Sequence, residues 1–298
     1  MSDLIWSRDG TDWPNRAASS FVEAAGIEWH VQRMGQGPSL LLLHGTGAAT
    51  HSWRALMPVL AEHFDVIALD LPGHGFTSSP APQRLTLPGM ASDIAQLLRK
   101  LEVAPEGAVG HSAGAAILAR MCLDRRIAPD VLVSLNGALL PFDGMAGHLF
   151  APLARLLASN ALVPRLFARQ AARAGAVERL LDNTGSTIDA QGTACYRKLV
   201  RSPRHVAAAL RMMAGWDLVS LQRALPSLTT RLILVAATHD RAIPPTVADR
   251  VGALVPGAVI LRMPGLGHLA HEEAPHDVAR LIIAHAQPSS AAKTPANV

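Results

Sequence analysis

Five consecutive residues, Gly110-His111-Ser112-Ala113-Gly114, constrain this chain more than any other feature. They have the form G-x-S-x-G, follow the short apolar run Gly107 to Val109, and open a run of helix formers from Ala115 to Leu123. A serine held between a strand and a helix sits on a sharp turn that pushes its hydroxyl outward, within reach of a base and a substrate carbonyl. The glycines permit the turn, because a Cβ there would crowd the neighbouring strand and helix. The pattern by itself also fits a plain helix start with Ser112 as N-cap. The rest of the chain decides between the two readings.

Short apolar runs recur on both sides of the turn. Ser20 to Glu23 and Ile27 to Arg33, separated by Ala24-Ala25-Gly26, predict a hairpin. Ser39 to Leu43 and Val66 to Leu69 predict strands buried on both faces, and Asp130 to Leu135, Arg231 to Ala236 and Ala258 to Met263 predict three more. Between them, Ser52 to Phe64, Thr86 to Leu101, Thr246 to Leu254 and Pro275 to Ala286 carry apolar residues at helical spacing. Strand and helix alternate before residue 136 and after residue 230, so the expected fold is α/β: a mostly parallel eight-stranded sheet with helices on both faces. Residues 138–225 show Leu/Ala/Arg helical patterns and no convincing strand. They predict a helical lid inserted into a core of residues 1–137 and 226–287, followed by a disordered tail at 288–298.

Composition narrows the function classes. The chain of 298 residues is 49% hydrophobic and 17% charged, which suits a large packed core and excludes a disordered polyelectrolyte. Met1 to Arg16 lacks the continuous apolar stretch of a signal peptide, and no window holds 18 uninterrupted apolar residues. A cytoplasmic protein with no transmembrane segment is expected. Cys122 and Cys195 lack metal-ligand or C-x-x-C spacing and read as reduced structural residues. The net charge of +4 is uneven: the predicted lid carries eleven Lys/Arg against five acids, a net +6, which leaves −2 for the remainder. These basic residues fall on helical patterns with no nucleic-acid recognition motif, so no nucleic-acid partner is expected, while a peripheral membrane contact by the lid stays open.

A serine hydroxyl is a poor nucleophile unless a base takes its proton and a third group orients that base. In a strand-turn-helix setting the expected chain order is Ser, then Asp or Glu, then His. Asp240 follows the strand ending at Ala236, and His268 follows the strand ending at Met263. Ser112, Asp240 and His268 are therefore the candidate triad. An acid just after the strand ending at Leu135 would serve equally, but that place holds Asn136, which carries no charge to stabilise an imidazolium. Two backbone N–H groups complete the chemistry as an oxyanion hole: Ala113, at the helix N-terminus, and Thr46, in the loop His44-Gly45-Thr46-Gly47. That loop lacks a Walker lysine and does not match G-x-G-x-x-G, so no nucleotide cofactor is expected, and no metal either. His44, Gly45, Gly47, His111, Asn136 and Trp216 are candidate substrate contacts.

With His44-Gly45, Asp70-Leu71-Pro72-Gly73-His74-Gly75, Gly110 to Gly114, Asp240 and His268 in this order, the chain resembles the α/β-hydrolase superfamily over nearly its whole length. Dehalogenases and epoxide hydrolases of that superfamily carry an aspartate nucleophile, and Ser112 argues against both. A narrower resemblance rests on Asp12-Trp13-Pro14-Asn15-Arg16, Phe21-Val22, Trp29-His30-Val31-Gln32, the stretch His44 to Arg54 and Ser134-Leu135-Asn136-Gly137-Ala138. These are similar to the magnesium-chelatase-associated α/β hydrolases of bacteriochlorophyll biosynthesis. The resemblance implies a phototrophic bacterium, a role near magnesium insertion into protoporphyrin and magnesium chelatase subunits as partners. It implies no particular reaction.

Two features of the predicted lid suit a tetrapyrrole or another apolar substrate bearing carboxylates. Its arginines pair well with propionates, and Met145, Met212, Met213 and Trp216 suit a flat apolar ring. The same residues also fit solvated surface and lid core. Three readings stay open: a serine hydrolase of esters, thioesters or related carbonyls; a non-hydrolytic accessory that binds a tetrapyrrole or the chelatase; and a C–C hydrolase or perhydrolase using the same triad.

Overall fold

A computed structural model describes residues 3–141 and 175–286, with isolated positions 163, 166, 169 and 170 between them. The predicted tail at 288–298 and the first part of the predicted lid, including Met145, Arg155, Arg165 and Arg173, lie outside the described residues.

The sheet begins with a hairpin, β1 (Ser19–Ala24) and β2 (Ile27–Met34), closed by Ala25 at φ 56° and Gly26 at φ 66°. Two successive positive φ values give the turn whose twist matches antiparallel strands. Six strands follow: β3 (Ser39–Leu43), β4 (Asp65–Leu69), β5 (Gly107–His111), β6 (Val131–Leu135), β7 (Arg231–Ala237) and β8 (Val259–Met263). Their order across the sheet is β1-β2-β4-β3-β5-β6-β7-β8, antiparallel through β2 and parallel from β4 onward.

The pure leucine run of β3 shows why the centre of this sheet reads as continuously apolar. Leu41 and Leu43 point into one core, with α3 (Leu87–Lys100) and α4 (Ala113–Leu123), while Leu40 and Leu42 point into the other, with α2 (Leu56–Leu60) and α11 (Pro275–Ala286). Alternate side chains enter opposite faces, so both must be apolar. The remaining helices are α1 (Trp6–Asp9), α5 (Ala176–Asp182), α6 (Ala190–Val200), α7 (Pro203–Ala214), α8 (Leu218–Ala224), α9 (Thr246–Leu254) and α10 (Ala270–Glu273). Helices α5 to α8 all fall between β6 and β7.

One prediction is corrected. The helix expected over Ser52 to Phe64 is a 3-10 turn at Thr50–Trp53 followed by the short α2. Pro58 supplies the reason: it has no N–H, and its ring blocks the carbonyl four residues before it, so an α-helix cannot run continuously through Arg54.

Candidate active site

Strand β5 and helix α4 meet at Ser112, whose φ of 51° and ψ of −117° are strained for a residue with a side chain. The flanking glycines are obligatory for contact reasons. A Cβ at Gly110 would lie 2.4 Å from the Ala115 nitrogen, and one at Gly114 would lie 2.1 Å from the Leu43 carbonyl oxygen. The strained backbone is held by its own hydrogen bonds: Ser112 N–H donates to the Leu135 carbonyl at 3.0 Å, and the Ser112 carbonyl accepts from Ala138 at 3.0 Å.

Asp240 and His268 leave the carboxyl ends of β7 and β8 and meet. Asp240 Oδ1 accepts from the Ala242 and Ile243 amides at 2.8 Å each, and Oδ2 accepts from His268 Nδ1 at 2.7 Å. The Asp240 side chain is fully enclosed and the His268 ring nearly so. A carboxylate can only accept, so Nδ1 is the donor in this contact, which leaves Nε2 as the ring nitrogen available for proton transfer. Among the described residues no hydrogen bond joins the Ser112 hydroxyl to His268, although both border one cavity. Nucleophile and base in free enzymes often close to bonding distance only when substrate binds.

The Thr46 and Ala113 N–H groups have no hydrogen-bond partner among the described residues, so both are free to face a developing oxyanion. The Thr46 loop is anchored from several sides. Its hydroxyl donates to the Met212 sulfur at 3.4 Å, and His205 of α7 donates from Nε2 to the Gly47 carbonyl at 3.1 Å. His205 Nδ1 in turn accepts from the Gly75 amide at 3.1 Å. Burial pulls the His205 imidazole down to about 4, so it stays neutral at pH 7. Beneath the loop, Asp70 accepts from the Thr50 amide at 2.7 Å, the Phe76 amide at 2.9 Å and His30 Nδ1 at 2.8 Å. This set of bonds explains the Asp in Asp70-Leu71-Pro72-Gly73-His74-Gly75, and a Cβ on Gly75 would meet its carboxylate at 2.2 Å.

Of the six candidate substrate contacts, Gly45, Gly47 and His111 border the cavity. His44, Asn136 and Trp216 do not, and each has another task. His44 is fully buried, its Nδ1 donating to the Gly45 carbonyl at 2.7 Å and its Nε2 accepting from the Leu71 amide at 2.9 Å, so it braces two loops. Asn136, in the left-handed region at φ 46°, donates from Nδ2 to the Gly267 carbonyl at 3.2 Å and the His268 carbonyl at 2.9 Å, and accepts from the Ala237 amide at 2.8 Å. It ties the end of β7 to the loop that carries His268. Trp216 is partly buried and packs against the core shared with α3 and α4.

The cavity, about 300 Å³, runs from Ser112 to a stripe on α7. Of the residues singled out for a flat ring, Met213 borders it and Met212 is buried in the core. No arginine borders it among the described residues, and Arg197 pairs instead with Glu178. Among the same residues no group of three or more His, Cys, Asp or Glu is arranged to hold a metal.

Two supports escaped the sequence reading. The Thr184 carbonyl, in the turn after α5, accepts from the Arg241 amide at 3.1 Å and the His268 amide at 3.3 Å, and Ser186 Oγ accepts from the Leu269 amide at 2.8 Å. A backbone carbonyl leaves no trace in residue type; the only signal was Gly185, whose φ is 81° and whose Cβ would lie 2.1 Å from the His239 carbonyl oxygen. The second support is an ionic group around the buried Arg54. Arg54 bonds Glu272 and lies 2.9 Å from Asp189, while the Tyr196 hydroxyl donates to Glu272 at 2.8 Å. Burial pushes the Glu272 carboxyl up to about 7, against the pull of Arg54 and Tyr196. The group links α6 to α10, just past His268.

Comparison with known proteins identifies the fold and the family. Residues 38–275 match the family described by the α/β hydrolase fold. The magnesium-chelatase 30 kDa subunit of Rhodobacter capsulatus is 42% identical over 91% of this chain and 95% of its own length. Among solved structures, an α/β hydrolase fold protein from Burkholderia ambifaria superposes with a TM-score of 0.74 at 22% identity, covering 90% of this chain and 97% of its own. An esterase from Exiguobacterium antarcticum gives 0.75 at 16% identity, covering 90% and 99%. At such identities the structural likeness speaks to the fold alone.

Proposed function

The chain belongs to the α/β-hydrolase fold family, and within it to the family of the magnesium-chelatase 30 kDa subunit; from that premise we propose that it is a serine hydrolase serving bacteriochlorophyll biosynthesis near the magnesium-chelatase step. The observation that carries the reading is the 2.7 Å bond between Asp240 and His268 on the cavity that Ser112 also borders. Ser112 Oγ attacks the carbonyl carbon of an ester or thioester while His268 Nε2 takes the hydroxyl proton. The Thr46 and Ala113 amides stabilise the oxyanion, a contribution of about 3 kcal/mol per donor. As the carbonyl reforms, the bond to the leaving alcohol or thiol breaks and His268 returns the proton to it. Water, deprotonated by the same nitrogen, then releases the acid and regenerates Ser112. Asp240 keeps accepting the Nδ1 hydrogen and so steadies the imidazolium. The helices between β6 and β7 act as the lid over this site.

The test is turnover of p-nitrophenyl butyrate by folded protein. Activity abolished by Ser112→Ala supports the reading, and activity that survives the substitution counts against it.

A second reading draws on the relative's name, a magnesium-chelatase subunit. A non-hydrolytic accessory that binds the chelatase or a tetrapyrrole through its basic helices would support pigment formation with Ser112→Ala but not with charge reversal at Arg201 and Arg211. The hydrolase reading requires the opposite.

A further inference from the structure

We propose that the cavity beside Ser112 takes an uncharged, apolar acyl chain of medium length and rejects chains that end in a carboxylate; the proposal rests on the hydrolase reading and names its substrate class. One wall of the cavity is a face of α7: Val206, Ala209, Leu210 and Met213 follow the i, i+3, i+4, i+7 spacing of a helical stripe, and all four border the cavity. Leu181 and Val200 extend the same surface from α5 and α6.

The polar side chains on the remaining wall are already engaged by the protein. The Tyr196 hydroxyl is spent on Glu272, His205 on the Gly47 carbonyl and Gly75 amide, and the Thr46 hydroxyl on Met212. The Thr184 hydroxyl donates to the Leu181 carbonyl at 2.6 Å. His111 Nε2 donates to the His268 carbonyl at 2.9 Å, while its Nδ1 is sealed from solvent. Among the described residues bordering the cavity, Ser112 and His268 are thus the polar side chains left for a ligand. Among the described residues no Lys or Arg borders the cavity. A carboxylate at the far end of an acyl chain would lose its hydration and gain no partner, a heavy cost in an apolar site. The described arginines of the helices between β6 and β7 are therefore not placed to hold a propionate in this cavity.

Size sets the chain length. The cavity is about 300 Å³, and if a methylene fills about the space of one water, roughly 30 Å³, a chain of up to about ten carbons fits. Each methylene buried along the α7 stripe should raise kcat/KM about fourfold.

The experiment measures kcat/KM for p-nitrophenyl acetate, butyrate, hexanoate and octanoate and for the p-nitrophenyl half-ester of suberic acid, which matches octanoate in length but ends in a carboxylate. The expected result is a rise from acetate to octanoate, a half-ester at least 100-fold slower than octanoate, and an octanoate-to-acetate ratio lowered at least tenfold by Ala209→Phe and, independently, by Leu210→Trp in protein of unchanged melting temperature. A half-ester as fast as octanoate, or a ratio that neither variant moves, overturns the proposal. If no ester is turned over through Ser112, the hydrolase reading fails separately, and the cavity is judged by calorimetry on Ser112→Ala protein. Octanamide binding at least tenfold tighter than suberamate upholds the apolar site, and equal or reversed affinities overturn it.

Discussion

His205 Nε2–H donates to the Gly47 carbonyl oxygen across 3.1 Å, tying helix α7 to the loop in which Thr46 borders the cavity. The loop proposed to bind the oxyanion is thus shaped partly from outside the sheet, by the helices between β6 and β7. A loop held this way keeps its amide aimed before substrate arrives, which is where electrostatic stabilisation is most effective.

Replacing His205 by Ala should cut kcat for ester hydrolysis about 100-fold, the scale of a misaimed catalytic group. Gln, which can still donate to Gly47, should recover part of the loss. Steady-state kinetics on both variants, with thermal melts as the control for folding, provide the check. An Ala variant with wild-type kcat would show that the loop needs no such tie.

Asn136 offers a sharper contrast, because it fills the alternative position for the catalytic acid. Its Nδ2 donates to the Gly267 and His268 carbonyls, so a carboxylate there would face two carbonyl oxygens and lose both bonds. Asn136→Asp should therefore fail to rescue Asp240→Ala. On its own it should destabilise the fold by about 2–3 kcal/mol, the cost of buried groups left unpaired. Denaturant titration measures the stability term, and activity recovered in the double variant would refute the assignment.

Gly185 lies in the turn that holds the acid and base loops. Ala at this position combines a φ of 81° with a Cβ 2.1 Å from the His239 carbonyl oxygen, so the turn must shift and carry the Thr184 carbonyl with it. Gly185→Ala should lower kcat by tenfold or more, with a smaller relative change at Gly257, where φ is 78° and nothing lies near an added Cβ. Parallel kinetics on the two alanine variants separate a positional effect from general backbone strain.

Acid should unfold this protein early. Burial holds His44, His51, His74, His111, His205 and His271 below the usual imidazole range, with His205 at about 4 and His271 at about 3. A histidine with a depressed folded value takes up its proton more readily when unfolded. Its contribution to stability is therefore present above about 6.5 and drains as pH falls toward the folded value. Glu272 has the opposite sign: raised to about 7, its contribution is present at low pH and lost as pH rises through that value. Six groups outweigh one, so the melting temperature should fall steadily between pH 7 and pH 5, with several protons taken up on unfolding. A melting temperature that is flat or rising over that interval would contradict the burial of neutral histidines.

The sheet and its candidate site were legible in the sequence for a shared physical reason. Central parallel strands such as Leu40 to Leu43 must be apolar on both faces, and the residues just beyond them, among them Ser112, Asp240 and His268, stand at one edge of the sheet by topology alone. Contacts that run through backbone carbonyls were not legible, and Thr184 is the clearest case. Nor was the difference between a polar residue that lines a cavity and one that braces a loop. His44 and Asn136 sit beside the site in sequence, yet their side chains turn to the carbonyls and amides of neighbouring loops. Arginine-rich helices likewise give no hint of which side faces the ligand, and the cavity wall of α7 proves to be its Val206, Ala209, Leu210 and Met213 stripe.

The most direct test of the account is mass spectrometry of folded protein after treatment with a fluorophosphonate, which forms a covalent bond only with an activated serine. An activated Ser112 should give a single adduct on its peptide, none in Ser112→Ala, and much slower labelling in Asp240→Asn, where loss of the orienting charge costs about 10⁴-fold in comparable triads. Folded wild-type protein that takes no label, or a Ser112→Ala protein labelled to the same extent, would contradict it.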